Sequence, residues 1–283
     1  MLNILKQRTQ TEKLIRAGQI AQLQEHRRAL LESPRNSDSR RLLSHGYRVY
    51  SQADEDGIIR EIFRRIGEGN RTFLEIGAGN GLENNSLFLL MQGWRGAWIE
   101  GSARKVLAAK KNLANAVADG HLRVEQHFLT VANVDETVAR LAPVKDVDLL
   151  SVDLDGNDYY ILDAIRSIIP PRVIVAEYNP KFPADVVWVM EYNETHRWDG
   201  TDYFGASLKA LEILLSARGY ALVGCNILGT NAFFVRADLA KDPPFCSPFI
   251  AENHYEPARY FLLAAYHSGH PEKFGPFRMK GEL

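Results

Sequence analysis

The sequence predicts an α/β protein built on one large, mostly parallel sheet with helices on both faces. Three observations carry this. Seven short strand-like runs alternate with helix-length segments from residue 71 to residue 236. The last two runs are separated only by residues 226–230, a hairpin length that closes one edge with an antiparallel pair. Near the front, residues 73–81 read F-L-E-I-G-A-G-N-G, a buried strand opening into a glycine-rich turn. Strands alternating with helices of this length give a parallel sheet covered on both sides.

Size and composition agree. The chain has 283 residues, 46% hydrophobic and 24% charged, enough for a full core and unlike a disordered chain. Net charge is −1, so global charge gives no reason to expect a nucleic-acid partner. Cys225 and Cys246 form neither a metal spacing nor a disulfide framework. They point to a reducing, cytoplasmic setting. No apolar run reaches membrane-spanning length, and the start lacks the apolar stretch of a signal peptide.

Residues 1–48 read as a basic helical arm. Ten Lys and Arg stand against four acids. Leu2, Leu5, Leu14, Ile15, Leu23, Leu30 and Leu31 are spaced loosely as a helical stripe. Such an arm packs on its own domain or on a second copy in a homo-oligomer. Alternatively, it lies on an anionic membrane at the inner face. Residues 33–39 look like a break.

At residues 51–57, S-Q-A-D-E-D-G precedes Ile58, Ile59, Ile62, Phe63 and Ile66, which share one helical face. Acids at a helix start suit its dipole. This helix leads into the first strand, 71–76, so its start can also sit over a ligand pocket. The glycine turn follows, then Asn84, Asn85 and Ser86 as caps for a helix over 84–92. The turn lets backbone approach a ligand and offers N–H groups to an anion.

Further strands are expected at 95–100, 121–128, 147–153, 172–178, 220–225 and 231–236. Helices are expected at 103–118, 133–141, 157–168 and 206–218. The second strand ends on Glu100, about 20 residues past the glycines, where nucleotide-binding α/β folds place a ribose-holding carboxylate. Residues 179–204 interrupt the alternation. The span 178–204 holds seven of the 28 aromatics, mixed with Asn, Asp, Arg and His. A long insertion at the C-terminal edge of a sheet is usually functional, and this one reads as a lid over a polar substrate. Residues 49–238 thus form the main domain, followed by an extension, 239–283.

Together these motifs resemble class I S-adenosylmethionine-dependent methyltransferases, and more narrowly the FkbM-type group. The resemblance covers roughly residues 50–236. It is carried by 51–57, 73–81, W-I-E-G at 98–101, L-L-S-V-D-L-D-G-N-D at 149–158 and V-A-E-Y-N at 175–179. It implies a Rossmann-like fold and S-adenosyl-L-methionine as cofactor. Glu75, Gly77, Ala78 and Gly79 would line its methionine half. Glu100 would accept hydrogen bonds from both ribose hydroxyls. Gly101 and Ser102 would border the adenine, with Phe128 and Leu129 nearby. Asp153 would stand beside the methyl group.

Asp153 and Asp155, two residues apart at the end of the fourth strand, are expected on one side of it. Carboxylates there can stabilise a sulfonium, take a proton or hold a metal. With Glu177 and Asn179 they make an oxygen-only set suited to Mg²⁺. Asp155, Glu177 and His196 are the candidate bases. Trp188, Tyr192, Arg197, Trp198 and Tyr203, with Asn179, are the candidate substrate contacts. The expected reaction is methylation of a hydroxyl on a saccharide or glycoconjugate. The alternatives are a metal-dependent small-molecule O-methyltransferase acting on a polyketide glycoside or a catechol-like acceptor, or a non-catalytic binding module. An NAD-dependent oxidoreductase is disfavoured, because Gly77, Gly79 and Gly81 give G-x-G-x-G rather than G-x-G-x-x-G.

Overall fold

The computed structural model describes residues 2–168, 170–240 and 244–266. The extension beyond Tyr266 and the side chains of Leu2 and Leu5 lie outside that description. A seven-stranded sheet organises the chain. Its strands are β1 (Thr72–Ile76), β2 (Arg95–Glu100), β3 (Leu122–Gln126), β4 (Leu149–Val152), β5 (Val173–Glu177), β6 (Tyr220–Cys225) and β7 (Asn231–Arg236). Their order is β3-β2-β1-β4-β5-β7-β6. The first five pair in parallel, and β7 runs antiparallel to both β5 and β6. The order reverses between β1 and β4, and such a switch opens a crevice at the carboxyl ends of the strands.

Helices cover both faces. In chain order they are α1 (Leu2–Leu31), α2 (Glu55–Ile66), α3 (Leu87–Met91), α4 (Ala103–Asn112), α5 (Ala114–Ala118), α6 (Val134–Leu141), α7 (Asp158–Ala164), α8 (Leu208–Ala217) and α9 (Ala251–His254). Strand residues alternate between two buried layers. Leu74, Ile76, Ile99, Leu150, Val152 and Ile174 pack with Val138, Ile161, Leu162 and Leu211 of α6, α7 and α8. Phe73, Trp98, Leu149, Val173 and Val175 pack with Ile58, Ile62, Phe63, Leu87 and Val106 of α2, α3 and α4. This is why the strands read as continuous apolar runs.

Three expected elements are shorter or broken. The helix over 103–118 breaks at Leu113, the shared cap of α4 and α5. The helix over 157–168 stops at Ala164, where Ile165 turns extended. The third strand ends at Gln126, so Phe128 and Leu129 lie in the loop beyond it.

The basic arm is largely one helix. Leu23, Leu30 and Leu31 of α1 join a small core with Ile227, Leu228 and Leu262. Arg27 Nε donates to the Tyr266 hydroxyl at 2.9 Å, and its Nη2 donates to Gly46 O at 3.2 Å. The arm therefore clasps the 3-10 turn Tyr260–Tyr266 of the C-terminal extension. Leu14 and Ile15 remain exposed. Among the described residues no helix is long and apolar enough to cross a membrane.

His254 on α9 is 3% exposed, and burial, helped by Arg41, holds its pKa down at about 3. The folded protein keeps this imidazole neutral while the unfolded chain protonates near pH 6.5. The unfolded state then binds more protons, so this contribution to stability falls as pH drops from 6.5 toward 3. Relative to His254→Gln, the wild type is expected to lose about 2 kcal/mol between pH 7 and pH 5. Urea melts at the two pH values check this. A pH-independent difference between the two proteins would refute it.

Candidate active site

The crevice is a cavity of about 1420 Å³ along the carboxyl ends of β1, β2, β4 and β5. That exceeds the roughly 300–1,000 Å³ of a pocket for one drug-sized ligand, leaving room for a cofactor and an acceptor together.

On the β1–β2 side, Gly77 follows β1 with φ +87° and donates its N–H to Ile99 O at 2.8 Å. Only glycine fits there, because an added Cβ would collide with the Asp153 carbonyl oxygen. Gly79 (φ +59°) turns its N–H toward Glu100 Oε2, 2.8 Å away. Ser102 N donates to Glu100 Oε1, also at 2.8 Å. Both carboxylate oxygens are thus oriented by backbone, and each keeps a further lone pair for a ligand hydroxyl. Ala78, Gly101 and Ser102 complete this wall. Phe128 lies against Gly101, and the Arg197 guanidinium sits 5.2 Å from the Phe128 ring centre.

Glu75 lines the cavity, as its place in the motif leads one to expect. It also accepts from Asn85 N at 3.0 Å, Ser86 N at 3.1 Å and the Ser86 hydroxyl. Burial raises its pKa, opposed by these donors. It braces the loop that opens α3, and so shapes this end of the crevice.

On the β4–β5 side, β4 ends at Val152, so Asp153 and Asp155 are not on a strand as expected. Asp155 instead takes a left-handed backbone, φ +54°. This bend still brings Asp153, Asp155 and Glu177 together, with one carboxylate oxygen of each within 4.8 Å of the others. Burial first, and then repulsion among neighbouring acids, push Asp153 and Glu177 well above the usual carboxylate range. Asp155 is raised by desolvation, with Lys105 and His196 pulling the other way. Glu177 Oε2 is buried without a hydrogen-bond partner.

The lid, residues 179–204, is irregular and pinned down. Asn157 Nδ2 donates to Asn193 O at 2.8 Å, and the Tyr160 hydroxyl donates to Met190 O at 2.9 Å. His196 Nε2 lies 3.1 Å from Asp155 O. Its ring rests so closely on Gly156 that a side chain there would displace it. His196, Arg197 and Trp198 line the cavity. Three predicted contacts do not line it. Trp188 stacks on Phe182 at 4.5 Å with Tyr203 against its edge. Tyr192 packs on Tyr160, and its hydroxyl accepts from Val131 N. Asn179 borders the cavity, but Nδ2 serves Asp202 O and Phe204 O while Oδ1 accepts from Lys181 N. It holds the base of this segment, and its Oδ1 keeps one further lone pair.

Several wall residues escaped the sequence reading. Asn231 stands opposite Glu177 in the β5–β7 ladder, and the expected hairpin beside β5 was the signal that could have found it. Ala258 and Tyr260 arrive from the C-terminal extension. No local pattern announces them. Gln52 confirms that the start of α2 reaches the pocket, while the acids after it are engaged in holding loops. Asp56 Oδ2 accepts from Val49, Tyr50 and Ser51 N. Glu55 accepts from Ala53 N, Asn226 and Asn231.

No family model matches this sequence, and no curated protein matches it. Solved structures do. A candidate caffeoyl-CoA O-methyltransferase from Staphylococcus aureus is 17% identical, with 63% of this chain and 81% of that one covered, at a TM-score of 0.45. An O-methyltransferase from Bacillus cereus in complex with SAH is 15% identical over 77% and 89%, at 0.40. Magnesium protoporphyrin IX methyltransferase from Synechocystis PCC 6803, with bound SAM, is 14% identical over 76% and 96%, at 0.41. Likenesses this distant add no weight to a functional reading, which has to come from the site itself.

Proposed function

We propose that the chain is an S-adenosylmethionine-dependent O-methyltransferase of the FkbM type, acting on a hydroxyl of a saccharide or glycoconjugate. One observation carries the reading. Glu100 lines the cavity at the tip of β2, held by Gly79 N and Ser102 N beside a left-handed glycine turn. A ribose diol fits that fork, and the turn leaves open space for the amino-acid end.

The cofactor supplies a methyl group on a sulfonium leaving group. The chain's part is to align an oxygen with it and to exclude water. The acceptor oxygen forms the new C–O bond as the C–S bond breaks, and its proton passes to a base. Asp155 and Glu177 border that position. Their raised pKa values bring them nearer to the working range of a general base. His196 stands above Gly156 as the third candidate.

The acid cluster also fits a divalent cation. Three carboxylates converge, and Glu177 Oε2 lacks a donor. Asp153, Asp155 and Glu177 would hold Mg²⁺, which would polarise the acceptor hydroxyl and leave His196 as the base.

Calorimetry tests both parts. S-adenosylhomocysteine is expected to bind at micromolar level and NAD not at all. Absence of S-adenosylhomocysteine binding would sink the proposal. Mn²⁺, as a probe for the cation, is expected to bind roughly tenfold or more weakly in Asp155→Asn, since affinity follows the number of charged ligands. Equal Mn²⁺ binding in both proteins would remove the cation from the reading.

A further inference from the structure

Asn231 is the direct cross-strand partner of Glu177. Directly opposed residues share a face of the sheet, with Cβ atoms roughly 5 Å apart. Both line the cavity. Each has a buried side-chain oxygen with no partner, Oε2 of Glu177 and Oδ1 of Asn231. The amide of Asn231 cannot simply turn over, because its Nδ2 donates to Glu55 Oε1 at 3.1 Å. A buried acceptor without a donor is costly. In a cavity wall, such an acceptor on Asn231 matches a hydroxyl donor on a ligand, next to Glu177.

Part of the same cavity wall is aromatic. Arg259 N donates to Leu228 O at 2.9 Å, and Arg259 Nη1 donates to Ile227 O at 3.0 Å. Leu262 is fully buried. Tyr260, between these two anchors, is 52% exposed and lines the cavity. It shares that cavity with Glu177 and Asn231. The turn that carries it is held by α1 through Arg27 and Tyr266, and through the ring pair His26 and Phe261, 5.7 Å apart. A half-exposed ring held in place in the cavity that Asn231 lines suits a ligand with an apolar face and hydroxyls along its edge. A pyranose has both. A flat aromatic ring supplies the face, but only a catechol-like one supplies adjacent donors.

We propose that Asn231 and Tyr260 form the acceptor subsite. Asn231 Oδ1 accepts from the hydroxyl vicinal to the one that reacts, and the Tyr260 ring lies against the same pyranose. This rests on the methyltransferase reading of the cavity. It gives the first helix and the C-terminal turn a shared role, that of positioning the acceptor wall.

Saturation-transfer NMR is the test, with methyl glycosides of glucose, galactose, mannose and rhamnose, and with catechol, each with and without S-adenosylhomocysteine. At least one glycoside is expected to receive saturation from the wild type. The signal should fall about fivefold in Tyr260→Ala and in Asn231→Ala, and persist in Tyr260→Phe, which keeps the ring. S-adenosylhomocysteine affinity should stay within about twofold in the tyrosine variants, since Tyr260 stands on the acceptor side. Tyr260 is half-exposed, so its variants keep the test valid should Asn231→Ala fail to fold. No glycoside signal in the wild type, undiminished signal in Tyr260→Ala, or signal from catechol alone would overturn the subsite. A wild type that ignores S-adenosylhomocysteine sinks the methyltransferase activity instead. The glycoside series recorded without it still decides the subsite.

Discussion

Replacing Glu100 with alanine is expected to weaken S-adenosylhomocysteine binding by roughly a hundredfold or more. A carboxylate that accepts two ribose hydroxyls contributes about 1.5–3 kcal/mol through each hydrogen bond. The loss has a second source. Glu100 also receives Gly79 N and Ser102 N, at 2.8 Å each. Without it, two backbone donors at the cavity wall lose their acceptor and the glycine turn loses one of its ties to β2. Glu100→Gln should fare little better. Its amide has one oxygen for two converging N–H groups, so its NH₂ must face one of them. Titration calorimetry on Glu100→Ala and Glu100→Gln reads both effects. Wild-type affinity in Glu100→Ala would mean that the fork at the tip of β2 does not hold the ligand.

Gly77→Ala is expected to destabilise the fold by about 4 kcal/mol, a large share of the roughly 5–15 kcal/mol a domain has. A left-handed backbone on a non-glycine residue costs about 1–3 kcal/mol, and forced overpacking adds a similar amount. At φ +87° the new methyl group would press on the Asp153 carbonyl oxygen, which is backbone and cannot swing aside. Gly79→Ala is the control. It shares a positive φ, +59°, but its Cβ would meet nothing within 4 Å. It should lose only about 1 kcal/mol. Urea denaturation of the two variants should therefore differ by about 3 kcal/mol. Equal midpoints would show that the β1–β4 contact is looser than described.

Strand positions were legible because burial on both faces writes an unbroken apolar run, as in residues 149–152 and 173–176. Turn chemistry was legible too, since Gly77 and Gly79 sit at positive φ, which glycine adopts at the least cost. Helix ends were less so. The break at Leu113 and the early stop at Ala164 depend on what the helix meets, not on its own residues.

The site was partly legible for the same reasons. Glu100 and the three clustered acids sit at strand tips, and the alternation alone brings strand tips together. Aromatic composition could not say which lid rings face inward. Trp198 does, whereas Trp188 satisfies itself against Phe182 and Tyr203. Nor could composition show that Asn179 and Glu75, at the cavity, also brace nearby backbone groups. Tyr260 was invisible, because no local pattern links the C-terminal extension to the cavity it lines.

The clasp between α1 and the turn at Tyr260–Tyr266 joins segments more than 230 residues apart, as Arg27 and Tyr266 show. A ribosome releases the early partner long before the late one exists. The half of the crevice built from residues 72–129 can take shape while the helix still waits for its mate. Pairings of such sequence separation form slowly and late. The side of the cavity lined by Tyr260 is therefore the last to be sealed during biosynthesis.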